Sequence, residues 1–288
     1  MLLDCAPCVE KIKRDTKEIV DELPFLPQLA TILVGDNSAS EIYVKNKKKV
    51  CYDVGIRTNI VRILYKGNEK ETLQEIVHEI VMLNQDKYTN GILLQLPLPK
   101  ELSVHEEELR NLILPSKDID GLTLIPILSL WSNTIPNFLP CTIEGIYLLL
   151  QHYHIDIEGK TVLVVGRSNL LGKPLALSLL QLNATPIVCH TYTKNLAELA
   201  KQADIIISAA GSPGIITKDM IRDEQVIVLD AGISRTKNTI CGDVCFEEVA
   251  EKALVTPVPG GIGRLTTAVV ALHTAQAARC QYYHKKKG

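Results

Sequence analysis

KTVLVVGRSNLLGKPLALSLLQLN, residues 160–183, decides the architecture. KTVLVVG (160–166) is an apolar, valine-rich run that ends on glycine, the pattern of a strand buried on both faces of a parallel sheet. GKPLALSLLQLN (172–183) carries apolar residues at helical spacing. Between them, Gly166 permits a tight turn, and the first turn of the helix offers N–H groups to a phosphate. The spacing is not G-x-G-x-x-G, because Ser168 stands in the middle position. Alone, such a junction is a weak motif and is often only a turn.

Its surroundings give it weight. TPIVCH (185–190), DIIISAAG (204–211) and QVIVLDAG (225–232) read as further strands. NLAELAKQ (195–202) reads as a helix among them, and PCTIEGIYLLLQHYH (140–154) as the helix that opens the unit. Strands alternating with helices of this length predict a doubly wound parallel sheet. Upstream, residues 5–22 form an amphipathic helix and LATILVG (29–35) a buried strand. A helix capped by Ser38 or Ser40 runs on to a stop at Gly55. TNIVRIL (58–64) alternates as a strand does, ETLQEIVHEIVMLNQD (71–86) is helical, and GILLQLPLP (91–99) is a strand cut off by prolines. From Thr266 to Lys285 the chain is helical again, with a lysine-rich tail at 285–287. The expectation is two α/β domains with a cleft between them. Residues 1–137 plus 266–288 make the first, and 138–265 make the second, Rossmann-like domain.

The bulk numbers agree. A chain of 288 residues suits two ordinary domains. With 46% hydrophobic and 22% charged residues, it can bury a core without disulfides or metal. Lysine plus arginine total 31 against 33 acids, so no general field draws in nucleic acid or anionic membrane. No apolar run approaches the roughly 18 residues of a membrane span, and MLLDCAPCVEKIKRD turns charged too soon for a signal peptide. A cytoplasmic protein is expected. The eight cysteines show no disulfide rhythm. Cys5 and Cys8 are spaced like half a zinc site, but Cys241 and Cys245 differ in spacing and lack a nearby histidine, so no metal is expected.

The second strand bears on which dinucleotide the turn would hold. NAD enzymes usually carry Asp or Glu about 20 residues past the glycines, to accept the ribose hydroxyls. This chain has Cys189-His190-Thr191-Tyr192-Thr193-Lys194 there, with no carboxylate, and Arg167 in the turn itself. A guanidinium can grip a 2′-phosphate, which favours NADP over NAD. The bland alternative makes Arg167 a surface residue and His190 a strand-end residue.

Tyr43-Val44-Lys45-Asn46-Lys47 places a phenol and an ammonium four residues apart, on one face of a helix. Lys48 and Lys49 extend the run, so a solvated face is the competing reading. A Tyr-x-x-x-Lys pair also occurs in short-chain dehydrogenases, but there it lies downstream of the glycine turn. Here it lies far upstream, in another domain.

Six segments in order carry a resemblance: VGDNSASEIYVKNKKKVCYDVGI, GILLQLPLP, PSKDIDGL, PCTIEGI, VVGRSNLLGKPLA and TPVPGGIGRLT. They resemble the FolD family, bifunctional methylenetetrahydrofolate dehydrogenase/methenyltetrahydrofolate cyclohydrolase, over about residues 5–280. The resemblance implies NADP, tetrahydrofolate derivatives as substrates, and a homodimer formed through the nucleotide domains. It implies that Tyr43 stacks on the folate's aminobenzoyl ring, that Lys47 is the catalytic lysine and that Gln95 tunes it. Asp120 would grip the pterin. Gly260, Gly263 and Thr266 would lie beside the substrate; Gly166, Arg167, Ser168, Gly172, Thr191 and Ile233 would line the cofactor. Asp118 is a local rival to Asp120, and Gln95 could merely satisfy backbone groups before the prolines. The chain departs from the family pattern at Ile143, Thr191, Cys245 and Arg264-Leu265. Two rivals remain: a two-domain dehydrogenase of the amino-acid or shikimate type, and a non-catalytic homologue.

The residue types suit the implied chemistry. A free lysine titrates near ~10.4 and is a poor base until burial lowers it. A carboxylate can pair with the amino group and ring N–H that pterin presents side by side.

Overall fold

The computed structural model describes residues 1–134, 136–235 and 240–287; the side chains of the lysine tail at 285–287 lie outside the described set. In chain order the first half runs α1 (Ala6–Asp21), β1 (Gln28–Val34), α2 (Ser38–Asp53), β2 (Arg57–Ile63), α3 (Glu69–Gln85), β3 (Gly91–Leu94), α4 (Glu106–Arg110) and α5 (Leu124–Trp131). The second half runs α6 (Cys141–His152), β4 (Thr161–Val165), α7 (Gly172–Gln181), β5 (Thr185–Cys189), α8 (Leu196–Ala200), β6 (Ile205–Ser208), β7 (Ile227–Asp230), β8 (Ser234–Arg235), β9 (Ile240–Cys241), α9 (Phe246–Ala250), β10 (Leu254–Val255) and α10 (Ile262–Lys287).

Two compact units result. One comprises Glu10–Ser129, Pro136–Cys141 and Thr267–Gly288; the other comprises Met1–Val9, Leu130–Ile135 and Thr142–Thr266. The expected division placed the N-terminus in the first domain, whereas Met1–Val9 group with the second. The reason is backbone pairing: Leu3 N–H donates to Val255 O at 2.8 Å and Val255 N–H to Met1 O at 2.9 Å, extending the sheet edge beyond β10.

The first unit holds a parallel sheet in the order β2-β1-β3. β1 is buried almost throughout and joins Ile63, Ile76, Ile80, Ile92, Leu94 and Leu102 in one core. Asn68 caps α3, its side chain accepting from Glu71 N–H at 3.2 Å, so the helix starts two residues earlier than expected. On α5, Leu124, Ile125, Leu128 and Trp131 are exposed, Trp131 at 76%.

The second unit holds a five-stranded parallel sheet, β10-β7-β6-β4-β5. Renumbered within the unit, this is the doubly wound order 2-1-3-4-5. After β5 the chain crosses back to the other side of β4, and the switch point falls between the carboxyl ends of β4 and β6. Leu163, Val165, Ile206, Val228 and Val255 pack its core. Among the described residues, no helix is long and apolar enough to cross a membrane.

Candidate active site

In the first unit, β1 leads through Gly35 into α2. The helix cap is Asn37 rather than the expected Ser38 or Ser40: its side chain accepts from Ser40 N–H at 3.2 Å. The Ser40 hydroxyl is buried and has no hydrogen-bond partner among the described residues. Tyr43 and Lys47 lie one turn apart on α2. β3 ends at Leu94, earlier than the expected 91–99, and a cis peptide bond joins Leu96 to Pro97. Gln95 therefore follows the strand, 7% exposed. Lys47 Nζ donates to Gln95 Oε1 at 3.0 Å, and Gln95 Nε2 donates to Leu96 O at 2.6 Å. The amide is thus oriented with its oxygen toward the amine.

Burial lowers the pKa of Lys47, and the nearby Asp120 carboxylate opposes the shift. Desolvation wins, so the amine is drawn toward its neutral, proton-accepting form. Asp120 is half-buried, and no described residue hydrogen-bonds to its carboxylate, although its backbone oxygen accepts from Cys141 N–H at 3.2 Å. Its neighbours in the motif have structural tasks. Asp118 accepts from Gly121 N–H at 3.1 Å and Thr123 N–H at 2.9 Å, folding the turn. Lys117 Nζ donates to the carbonyls of Leu83, Asn84 and Asp86 at 2.8, 2.9 and 2.7 Å. The local rival Asp118 is thereby occupied, while the Asp120 carboxylate accepts no hydrogen bond from the described residues.

One group escaped the sequence reading. Ile119 O accepts from Cys141 Sγ at 3.1 Å and lies 2.7 Å from His273 Nδ1; all three residues are buried. The triangle anchors the peptide just before Asp120. Cys141 stood in a recognised motif, but nothing in the helical stretch after Thr266 marked His273.

In the second unit, the turn after β4 is built for close approach. Gly166 has φ +128°, and a Cβ there would lie 2.4 Å from Ala209 O. A Cβ on Gly172 would lie 2.2 Å from Gly166 O, so the helix N-terminus presses directly on the turn. Ser168 Oγ accepts from Leu171 N–H at 3.1 Å and Gly172 N–H at 3.4 Å. The Arg167 guanidinium lies 5.5 Å from the Tyr192 ring centroid, and no acid among the described residues pairs with it. Thr191 is exposed, just past the end of β5. Gly260 takes φ +106° beside the cis Val258–Pro259 bond. α10 begins at Ile262, four residues before the expected start at Thr266, so Gly263 as well as Thr266 lies on the helix. Thr266 Oγ1 donates to Thr142 Oγ1 at 3.2 Å, joining two of the sequence motifs. Gly263 neighbours Ile233, whose Cδ1 is 3.7 Å from a Cβ built on the glycine. The structure thus gathers Lys47, Gln95 and Asp120 in the first unit. It gathers the 166–172 turn in the second, which also holds Gly260, Gly263, Thr266, Thr191 and Ile233.

Residues 3–120 match the tetrahydrofolate dehydrogenase/cyclohydrolase catalytic domain, and residues 140–282 match the NAD(P)-binding domain of the same name. The chain is 43% identical over 278 residues to the Bifunctional protein FolD of Hydrogenobaculum sp., covering 96% of this chain and 98% of that one. The chain belongs to the tetrahydrofolate dehydrogenase/cyclohydrolase family. Its fold superposes on the bifunctional FolD dehydrogenase/cyclohydrolase of Campylobacter jejuni with TM-score 0.91 and 40% identity, over 97% of this chain and 99% of that one. A Trypanosoma brucei FolD structure, complexed with NADP cofactor and inhibitor, aligns with TM-score 0.88 and 28% identity, over 97% and 98% of the two chains. Within this family fold the turn suits a dinucleotide on its own evidence: two glycines let the turn pack tightly against its neighbours, a helix starts at Gly172, and no acid among the described residues pairs with Arg167.

Proposed function

We infer that the protein oxidises 5,10-methylenetetrahydrofolate to 5,10-methenyltetrahydrofolate with NADP and hydrolyses that product to 10-formyltetrahydrofolate. The observation that carries the assignment of roles is the Lys47–Gln95 bond at 3.0 Å, formed by an amine whose burial lowers its pKa. NADP, when bound, supplies the hydride acceptor. The chain's residues do the rest. Arg167 pairs with the 2′-phosphate, and Gly166, Ser168 and Gly172 shape the turn that receives the pyrophosphate. Thr191 and Ile233 complete the cofactor contacts. Asp120 holds the pterin through its amino group and ring N–H, and Tyr43 stacks on the aminobenzoyl ring. Gly260, Gly263 and Thr266 border the substrate.

In the hydrolytic step, water oxygen bonds to the bridging methenyl carbon while Lys47 accepts one of its protons. The carbon–N5 bond then breaks, N5 gains a proton, and 10-formyltetrahydrofolate leaves with one proton released to solvent. Gln95 keeps the lysine amine aimed through the step. Two further features come from family resemblance: a homodimer formed through the nucleotide-binding unit, which light scattering would measure, and a cytoplasmic location.

Incubation with methylenetetrahydrofolate and NADP, followed at the methenyl absorbance, tests the function directly. The expected result is formation and then decay of the methenyl band. Lys47→Met should slow the decay by roughly 10²–10⁴-fold. Undiminished hydrolysis by that variant would overturn the role given to Lys47.

A further inference from the structure

Two acids that the mechanism above does not use lie at the carboxyl ends of β6 and β7, beside the switch point of the five-stranded sheet. Asp243 is fully buried. Its Oδ2 accepts from Ser208 Oγ at 2.8 Å, Ala210 N–H at 2.7 Å and Gly211 N–H at 3.2 Å; its Oδ1 accepts from Ser212 N–H at 2.7 Å. Asp230 is 3% exposed. It accepts from Gly232 N–H at 3.0 Å, Asp243 N–H at 3.1 Å and Val244 N–H at 3.0 Å. The carboxylates reach these positions only because glycines face them. A Cβ on Gly232 would lie 2.1 Å from Asp243 Cγ, and one on Gly242 would lie 1.9 Å from Asp230 Oδ2.

Three segments are therefore tied together at the carboxyl ends of β6 and β7: the turn 209–212, the turn carrying Gly232 and Ile233, and residues 242–244. The first of these abuts the phosphate turn, since Ala209 O blocks the space where a Gly166 side chain would begin. At a topological switch point, those are the walls against which a dinucleotide lies.

We propose that Asp243 is a positioning residue for NADP: it touches no reacting atom, but sets the 209–212 turn against the Gly166 turn and thereby fixes the cofactor cradle. This rests on the NADP-dependent reading given above. A buried acceptor serving four donors is costly to remove, because each orphaned N–H or O–H loses its partner. Asparagine leaves one acceptor oxygen and turns an NH2 toward at least one N–H. Alanine orphans all four donors. Ser208→Ala removes one donor and keeps the three backbone bonds.

The reaction pair offers an internal control, because hydrolysis of the methenyl compound takes no dinucleotide. NADPH titration calorimetry, NADP kinetics and cyclohydrolase kinetics are compared in wild type, Asp243→Asn and Ser208→Ala. In Asp243→Asn, Kd for NADPH and KM for NADP should rise roughly 5- to 100-fold. Dehydrogenase kcat at saturating NADP and all cyclohydrolase constants should stay within about threefold. An unchanged Kd, or a parallel fall of both activities, would overturn the proposal. If Asp243→Asn is insoluble, Ser208→Ala decides: a Kd raised twofold or more with normal cyclohydrolase supports it, and an unchanged Kd refutes it. A wild-type protein that binds NADPH but turns over no folate would refute the functional reading, while the Kd comparison still judges Asp243.

Discussion

Lys47 illustrates how burial converts a common side chain into a usable base. Its partner is the neutral oxygen of Gln95 at 3.0 Å, which orients the amine without adding a full negative charge. Gln95→Glu would put an anion at the same distance and favour the ammonium. The cyclohydrolase pH profile should then move alkaline by about 1–3 units, with a matching loss of rate near neutrality. An unshifted profile would mean that Gln95 does not govern the lysine. Asp230 offers a second residue-scale test. Burial, the largest influence, raises its pKa from 3.8 to about 6. Between those values the folded state binds more protons than the unfolded state, so stability falls as pH rises through the window. The fall amounts to about 3 kcal/mol, reached once pH exceeds the folded value. Asp230→Asn lacks this titration, and thermal melts from pH 4 to 7 should show its profile flatter than wild type by that amount. Residues of this sort differ in how visible they are in the bare sequence. Lys47, Gln95 and Asp120 sit in motifs that resemblance could name. Asp230 and Asp243 acquire meaning only when parallel strands bring their loops together, and His273 only when α10 packs beside Ile119.

At the scale of elements, buried strands were the easiest to read. β4 and β6 are short, almost wholly buried runs, and their apolar continuity is visible without a neighbour. Ends were harder. β3 stops at Leu94, short of the end of GILLQLPLP, because Pro97 and Pro99 have no N–H to offer a neighbouring strand. α10 starts at Ile262 because the glycine loop closes into a helical turn, with Arg264 N–H donating to Gly261 O at 2.9 Å. Two-residue strands such as β10 were invisible, since pairing with β7 rather than local pattern creates them. The turn between β4 and α7 gives the element-scale prediction. Gly166→Ala must place a methyl 2.4 Å from Ala209 O at a φ of +128°. Strain of this kind costs about 1–3 kcal/mol, so a lowered melting temperature and weaker NADPH binding are expected together. Normal NADPH affinity in that variant would separate the turn from the cofactor.

For the molecule as a whole, alternating strands and helices were enough to foresee two α/β units, because layering follows from the order of elements. The N-terminal segment clusters differently from the expected division: Met1–Val9 group with the other unit through backbone pairing that carries no side-chain signature. Helix α5 was not foreseen either. Its sequence, LIPILSLW, has the apolar content of a core segment, yet Leu124, Ile125, Leu128 and Trp131 face outward. Trp131 is also the sole tryptophan of the chain, 76% exposed. The protein therefore carries its own optical gauge: every photon emitted by indole comes from one helix. Native emission should already peak close to that of the urea-unfolded chain, with acrylamide quenching nearly equal in both. Against that background, any blue shift on adding a folate would announce that this helix had lost its water.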